Sequence, residues 1–236
     1  MCRVDDLQSI RTRMSADLIV SYDGTANDDD ALALGKMLAC TGAALALAYV
    51  RHSREYDPRR EELAQHDAER RLEQGASWLG DTDVSRHVVL SASTGEGLEQ
   101  LAQDEGASIV VFGSDYRTPP GHAEPGTSAQ RLLDGGPAAV AVAAAGLRAN
   151  GGATIKTIAV SPSEADPAAQ ATAEALAEKV GAKVVAADGQ DADLIVVGSQ
   201  PASAEGRVSL GGATRAMLNS ARGSVLVVTH GRPVRL

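Results

Sequence analysis

The most informative stretch of the sequence is an apolar run that ends in Gly-Ser, Val110-Val111-Phe112-Gly113-Ser114-Asp115. A loop rich in Pro and Gly follows and leads to Pro125-Gly126-Thr127-Ser128. A buried strand, a loop and a helix that opens on Gly-Thr-Ser bring helix-terminal amides to a place where they can face a phosphate. The stretch therefore predicts a strand-loop-helix unit with a candidate anion site.

The same plan recurs in the second half of the chain. There the apolar run 194–197 ends in Gly198-Ser199 and leads to Gly211-Gly212, and each copy closes with a short apolar strand, 138–144 and 224–229. Gly113 and Gly126 are 13 residues apart, as are Gly198 and Gly211. An internal repeat of this kind predicts two domains. We expect them at 15–146 and 154–236, on either side of a Gly-rich linker.

Composition limits the classes of function. The chain has 236 residues and a formal net charge of −9, which argues against a surface for nucleic acid or anionic membrane, because such surfaces need clustered Lys and Arg. Its two cysteines form neither a disulfide framework nor a metal site. Residues 1–15 lack an apolar signal region, and no apolar run approaches the roughly 18 residues of a membrane span. We expect a cytoplasmic protein.

Strand and helix patterns alternate along the first half. Strands are predicted at 17–23, 43–50, 87–90, 108–112 and 138–144, and helices after a cap at Asn27 or Asp28 and at 58–79, 96–105 and 126–133. This alternation requires a parallel sheet with helices on both faces, the α/β class. In the second half, after 155–160, 167–180 and 183–185, only 186–191 precede the next strand. So few residues cannot hold another helix and strand, and we expect a truncated sheet.

These residues resemble the universal stress protein family in its tandem form. The family pattern of Gly, two residues, Gly, nine residues, Gly and then Ser or Thr falls on Gly113, position 116, Gly126 and Thr127. The family's strand ending in Val-Asp-Gly-Ser appears as Ser21-Tyr22-Asp23-Gly24-Thr25. The resemblance implies two doubly wound domains of the adenine nucleotide alpha hydrolase-like fold, with strand order 3-2-1-4-5 in the first.

The resemblance also implies a bound adenine nucleotide, ATP or another, which could carry Mg²⁺. By this resemblance, Asp23 would bind the ribose or the base, and the backbone at Val50 would lie along the edge of the base. The amides of residues 126–128 would bind the phosphates. The implied binding residues are Ser21, Tyr22, Asp23, Val50, Gly113, Ser114, Gly126, Thr127 and Ser128. Each has a purely structural alternative: Asp23 an Asx-turn or helix cap, Gly113 and Ser114 a strand end, Thr127 or Ser128 a helix cap.

Departures from the pattern separate the two halves. Position 116 is Tyr instead of Gly, a bulky side chain where the family backbone lies close to the phosphates. The second half has Pro201 at the equivalent position, Gly212 in place of the hydroxyl residue, and Ser163 in place of the strand-end Asp. We therefore expect one nucleotide, bound in the first half only.

Three functions remain open from the sequence. The leading interpretation is a non-catalytic stress protein that responds to an adenine nucleotide. The second is a structural or interaction protein with both sites empty, for which Tyr116 is the main argument. The third is a slow ATPase or nucleotidyl transferase, although the chain has no P-loop, no nucleophile elbow and no metal-type histidine spacing. We also expect the last strands of the halves to pair within one chain as an intramolecular pseudo-dimer, with a homodimer as a further option.

Overall fold

The structure is a computed structural model that describes residues 16–150, 153–161, 166–187, 191–212, 214–215 and 222–236. The expectations for residues 1–15, for Gly151-Gly152 and for Ser163 fall outside these ranges. In chain order the first half contains β1 (Leu18–Ser21), α1 (Ala26–Ala39), β2 (Leu45–Arg51), α2 (Pro58–Leu79), β3 (Ser85–Leu90), α3 (Thr94–Glu105), β4 (Ile109–Phe112), α4 (Thr127–Leu133) and β5 (Ala139–Val142). A short 3-10 helix, Leu147–Ala149, precedes β6 (Thr157–Val160), α5 (Ala168–Val180), β7 (Lys183–Ala186), β8 (Leu194–Val197) and β9 (Ser224–Val227).

One sheet of nine strands runs through the described chain, in the order β3-β2-β1-β4-β5-β9-β8-β6-β7. The predicted order 3-2-1-4-5 of the first half is confirmed. The second half repeats it as β7-β6-β8-β9, and within the described residues it has no counterpart of β3, α2 or α3. The sheet is therefore truncated on that side, as expected. The domain limits 15–146 and 154–236 stay a prediction.

The two halves join through their last strands. β5 and β9 pair antiparallel, with Val140 opposite Val227 and Val142 opposite Val225, whereas every other strand pair in the sheet is parallel. Both strands are fully buried. The predicted pairing of the two last strands is thus present. It covers two apolar edges that would otherwise promote aggregation.

Lysine at this junction is expected to be strongly destabilising. Val227 is 1% exposed, so Val227→Lys buries an unpaired ammonium group and should lower the free energy of unfolding by about 4 kcal/mol or more. Urea denaturation and light scattering measure the loss and the resulting aggregation. Val185→Lys is the matched control, because Val185 lies in the outermost strand β7 and is 36% exposed. Equal stability of the two variants would contradict the buried pairing of β5 with β9.

The helix boundaries follow local capping signals. α2 spans the predicted range. The Asp57 side chain caps its start by accepting from the Arg59 and Arg60 amides, Pro58 is its first residue, and Gly80 ends it in the left-handed conformation at φ 73°. The predicted cap of α1 at Asn27 or Asp28 is wrong. Thr25 is the N-cap, since its side chain accepts from the Asp28 amide while the Asp28 carboxylate accepts from the Thr25 amide. Thr25 and Asp28 thus form a reciprocal capping box, and the helix begins at Ala26.

Aliphatic side chains fill both faces of the sheet. α1, α2 and α5 cover one face around Leu18, Leu32 and Leu176, whereas α3 and α4 cover the other around Ile19, Leu98 and Leu132. Because the strands of the first half are parallel to one another, their carboxyl ends align along one edge of the sheet, whereas the strands of the second half run in the opposite direction. Every predicted site residue of the first half lies at or just beyond this edge, except Val50, which lies one residue before the end of β2.

Candidate functional site

The strand order reverses direction between β1 and β4. The chain leaves β1 toward β2 and β3, then crosses back to β4 on the other side of β1. Doubly wound sheets bind ligands beyond the carboxyl ends of the strands at such a switch point. A cavity of about 340 Å³ lies on this edge beside the ends of β1 and β2. A second cavity, of about 690 Å³, begins at Gly126 and follows α4 to Asp134, and Leu210 and Arg215 of the second half also line it.

The first cavity contains four of the predicted residues: Ser21, Tyr22, Asp23 and Val50 all line it. The side chain of Val50 packs against α3, where a Cβ atom on Gly97 would lie 3.0 Å from it. Val50 is 6% exposed, so its side chain contributes little surface to the cavity. The expected role of its backbone at the edge of a base stays a prediction.

Tyr22 is a core residue with one polar contact. Its side chain is 1% exposed and lies beneath α2 at Gly75. The hydroxyl donates to Asp29 Oδ1 at 3.3 Å. Burial raises the pKa of Tyr22, and the neighbouring Asp29 raises it further. Tyr22 therefore stays a neutral hydrogen-bond donor and forms the floor of the cavity.

Asp23 and Asp28 form a carboxyl pair at the mouth of the first cavity. One Asp28 oxygen accepts from the amides of Asp23 and Thr25 at 3.1 and 3.0 Å and from the Thr25 hydroxyl at 2.7 Å. Burial, followed by the hydrogen bond and the charge of Asp23, raises the pKa of Asp28 from 3.8 to about 7. Asp23 accepts from the Thr25 amide and is exposed. Asp23 thus closes an Asx-turn and still presents its carboxylate to the cavity.

This pair predicts a pH dependence of stability. Because the pKa of Asp28 is higher in the folded than in the unfolded protein, the folded state holds more protons between pH 3.8 and about 7. The contribution of Asp28 is therefore present at the acidic end and is lost as pH rises toward 7. Asp28→Asn keeps the shape and removes the titration. Urea denaturation from pH 4 to 8 should show the wild type losing stability relative to this variant as pH rises to 7; a constant difference would contradict the shift.

Arginine and aromatic side chains complete the first cavity. Arg71, from α2, donates through Nη1 to the Asp23 carbonyl at 2.6 Å, and its guanidinium lies 5.6 Å from the ring centroid of Tyr49. Arg51 pairs with Glu61 at 2.8 Å. Sequence reasoning missed Arg71, because the charged pattern of α2 indicates only a solvated face, and it missed Tyr49, because the apolar run around it indicates only a buried strand. Their role arises from the position of α2 over the ends of β1 and β2.

The second cavity contains Gly126 and Thr127. Gly126 is the N-cap of α4, with no side chain capping the helix and no atom within 4 Å of a Cβ placed on it. Its φ of −69° is accessible to any residue. The idea that Thr127 or Ser128 caps this helix is therefore wrong. Gly126 has no packing or conformational reason to be glycine, which leaves open space at the helix start.

Three predicted residues, Gly113, Ser114 and Ser128, are not among the side chains that line either cavity in the described structure. A Cβ atom on Gly113 would lie 2.1 Å from the Asn27 carbonyl oxygen. The Ser114 hydroxyl donates to the Ala143 carbonyl at 2.6 Å and accepts from the Glu124 amide at 3.2 Å. Gly113 and Ser114 thus have structural roles. Their part in ligand binding stays a prediction, as does that of Ser128.

Tyr116 lies away from both cavities. Its side chain is 73% exposed, and the Arg117 guanidinium lies 4.9 Å from its ring centroid. Within the described part of the chain, the ring lines neither cavity. Tyr116 therefore occupies neither of the two cavities.

No group of three or more His, Cys, Asp or Glu side chains in the described ranges is placed to hold a metal ion. None of the helices described is both long and apolar enough to cross a membrane.

The family model of the universal stress proteins matches residues 14–144. The chain belongs to the universal stress protein family. Two solved structures have the same fold as this universal stress protein over almost its whole length. A universal stress protein from Archaeoglobus fulgidus is 14% identical with a TM-score of 0.58, covering 93% of this chain and 100% of its own.

The other structure is a protein of Pseudomonas aeruginosa that is provisionally assigned to the same family. It is 15% identical with a TM-score of 0.59, and the match covers 92% of this chain and 95% of that protein. At these identities the similarity concerns the fold. Among curated proteins, none matches this universal stress protein.

Proposed function

We propose that this universal stress protein binds one adenine nucleotide in its first half and acts as a non-catalytic, nucleotide-responsive regulatory protein. One observation carries the proposal. The two cavities flank the point where the strand order reverses, and six of the nine implied binding residues line them. Cavities of about 300 to 1,000 Å³ are the usual size for such ligands.

The nucleoside would occupy the first cavity. The Asp23 carboxylate accepts hydrogen bonds from ribose hydroxyls, and the backbone of β2 near Val50 supports the base. Tyr49 and Arg71 provide planar groups beside it, since Arg71 already stacks on the Tyr49 ring. The phosphate end would point toward Gly126 and Thr127, where uncapped amides at the start of α4 face open space.

Thermal shift with adenosine, AMP, ADP and ATP in parallel tests the proposal. A ligand that binds the folded state but not the unfolded state raises the melting temperature in a concentration-dependent way. We expect at least one of the four to do so. The proposal is wrong if none of them stabilises the protein at millimolar concentration.

Asp23→Ala should weaken binding of the stabilising ligand about 10- to 100-fold, because a hydrogen bond to a charged acceptor contributes about 1.5 to 3 kcal/mol. Titration calorimetry measures the change. Asp81→Ala is the matched control, since Asp81 also closes an Asx-turn, by accepting from the Asp83 amide at 3.0 Å, but precedes β3 at the opposite edge of the sheet. Equal weakening by both variants would remove Asp23 from the site.

A further inference from the structure

Acidic side chains outnumber basic ones around the two cavities. Six carboxyl groups line them: Asp23, Glu55, Asp67, Asp115, Glu124 and Asp134. The arginines that line them are Arg51, Arg71, Arg131 and Arg215, and His52 adds one neutral imidazole when unprotonated. A site for a highly charged anion has the opposite balance, because it concentrates positive charge.

Most of the arginines are already engaged within the protein. Arg51 pairs with Glu61 at 2.8 Å, and Arg215, from the second half, pairs with Asp134 at 3.0 Å. Arg71 donates to the Asp23 carbonyl. The Arg71 guanidinium keeps its charge, because a backbone carbonyl does not neutralise it. Among the lining carboxyl groups, Asp134 is paired with Arg215 and Asp67 with Arg70. The four remaining carboxyl groups still outnumber Arg71 and Arg131, so the lining carries net negative charge.

Glu124 is the acidic group nearest in sequence to the proposed phosphate position, two residues before Gly126. Its amide donates to the Ser114 hydroxyl and its carbonyl accepts from the Asp115 amide at 2.9 Å, so the loop backbone is fixed. The Thr118 hydroxyl donates to its carboxylate at 3.3 Å. Within the described ranges no salt bridge neutralises Glu124. A half-buried, uncompensated carboxylate is thus held in the wall of the second cavity.

We propose that this site selects an adenine ligand of low negative charge, adenosine or AMP, over ATP, and that Glu124 is a specificity-determining residue. The inference rests on the proposed nucleotide site and names its ligand class. Repulsion between Glu124 and each additional phosphate grows with ligand charge. One carboxylate within several ångströms of a phosphate, partly screened by solvent, changes affinity by about tenfold.

Titration calorimetry of the full chain with AMP and with ATP, each with and without Mg²⁺, tests this. We expect ATP to bind at least about tenfold more weakly than AMP in both conditions. The comparison with Mg²⁺ is needed because a carboxylate can also bind a metal ion that bridges to phosphates. ATP binding as tightly as AMP, in either condition, overturns the inference but leaves the proposed function intact. Absence of binding by every adenine ligand contradicts both.

Glu124→Gln removes the charge and keeps the shape. It should strengthen ATP binding by about tenfold and AMP binding by less, so that the dissociation constant of ATP divided by that of AMP falls. Glu124→Asp keeps the charge, and this ratio should stay above one. Glu178→Gln changes the net charge equally on the exposed face of α5 and should change neither constant. An unchanged ratio in folded Glu124→Gln overturns the role of Glu124.

Salt provides a second measurement that needs no variant. Raising NaCl from about 0.05 to 0.5 M shortens the screening length severalfold and weakens repulsion. The dissociation constant of ATP should therefore fall relative to that of AMP. A rise instead would show that ATP is held by net positive charge, which contradicts the inference.

Discussion

Gly113→Ala is expected to lower the free energy of unfolding by about 3 kcal/mol, the upper part of the range for overpacking a rigid contact. The added Cβ atom would lie 2.1 Å from the carbonyl oxygen and 2.6 Å from the carbonyl carbon of Asn27. Both are backbone atoms in the first turn of α1, and the Asn27 side chain also donates to the Ser114 carbonyl at 2.9 Å. No side chain rotation can relieve the clash. Thermal or urea denaturation measures the loss.

Gly126→Ala is the matched control for that substitution. Gly126 belongs to the same glycine pattern, but a Cβ atom there meets nothing within 4 Å. Its φ is already suited to alanine, so we expect a change within about 0.5 kcal/mol. If Gly113→Ala were as stable as Gly126→Ala, the close approach of α1 to the end of β4 would be wrong.

Asp30→Ala is the second substitution with a large expected effect, a loss of about 3 to 4 kcal/mol. The Asp30 side chain is 1% exposed and accepts from the Arg148 guanidinium at 2.6 Å. It also accepts from the amides of Gly146 and Arg148 at 2.9 and 2.7 Å. Removing the carboxylate leaves these donors without their acceptor and releases the segment after β5 from α1.

Asp29→Ala distinguishes this effect from a general cost of losing charge in α1. Asp29 is the preceding residue and accepts one hydrogen bond, from Tyr22 at 3.3 Å. We expect a loss of about 1 kcal/mol, the value for a single hydrogen bond. Urea denaturation of both variants makes the comparison, and equal losses would contradict the anchoring role of Asp30.

The sequence predicted the fold well because periodicity and capping act locally. The range 58–79 follows directly from Asp57-Pro58 and Gly80. The repeat of Gly113 and Gly198 indicated a second, shorter set of parallel strands, which joins the first set in one sheet. Pairing of β5 with β9 could be predicted because two fully apolar strands need partners. The cap of α1 could not be chosen correctly, because Thr25, Asn27 and Asp28 are all good caps and the choice depends on the path of the turn at Gly24.

The candidate site was harder to predict, because its residues combine local and tertiary roles. A glycine pattern does not reveal that Gly113 contacts α1 whereas Gly126 faces open space. Asp28, Asp29 and Asp30 look alike in sequence, yet one pairs with Asp23, one with Tyr22 and one with Arg148. Arg148 comes from a distant part of the chain, whereas the turn after β1 brings Asp23 and Tyr22 against the start of α1. Sequence spacing alone carries no information on such contacts.

We propose that only the first half binds an adenine nucleotide, beside Gly126. Titration calorimetry with AMP on the wild type, Gly126→Asp and Gly211→Asp is the decisive experiment. Both positions accept a side chain without a close contact, because a Cβ atom on Gly126 meets nothing within 4 Å and one on Gly211 comes no nearer than 3.7 Å to Gln200. We expect one site per chain, weakened at least about 100-fold by the carboxylate of Gly126→Asp and unchanged in Gly211→Asp. Loss of binding in Gly211→Asp with binding retained in Gly126→Asp, or no binding of AMP to the wild type, would contradict the claim.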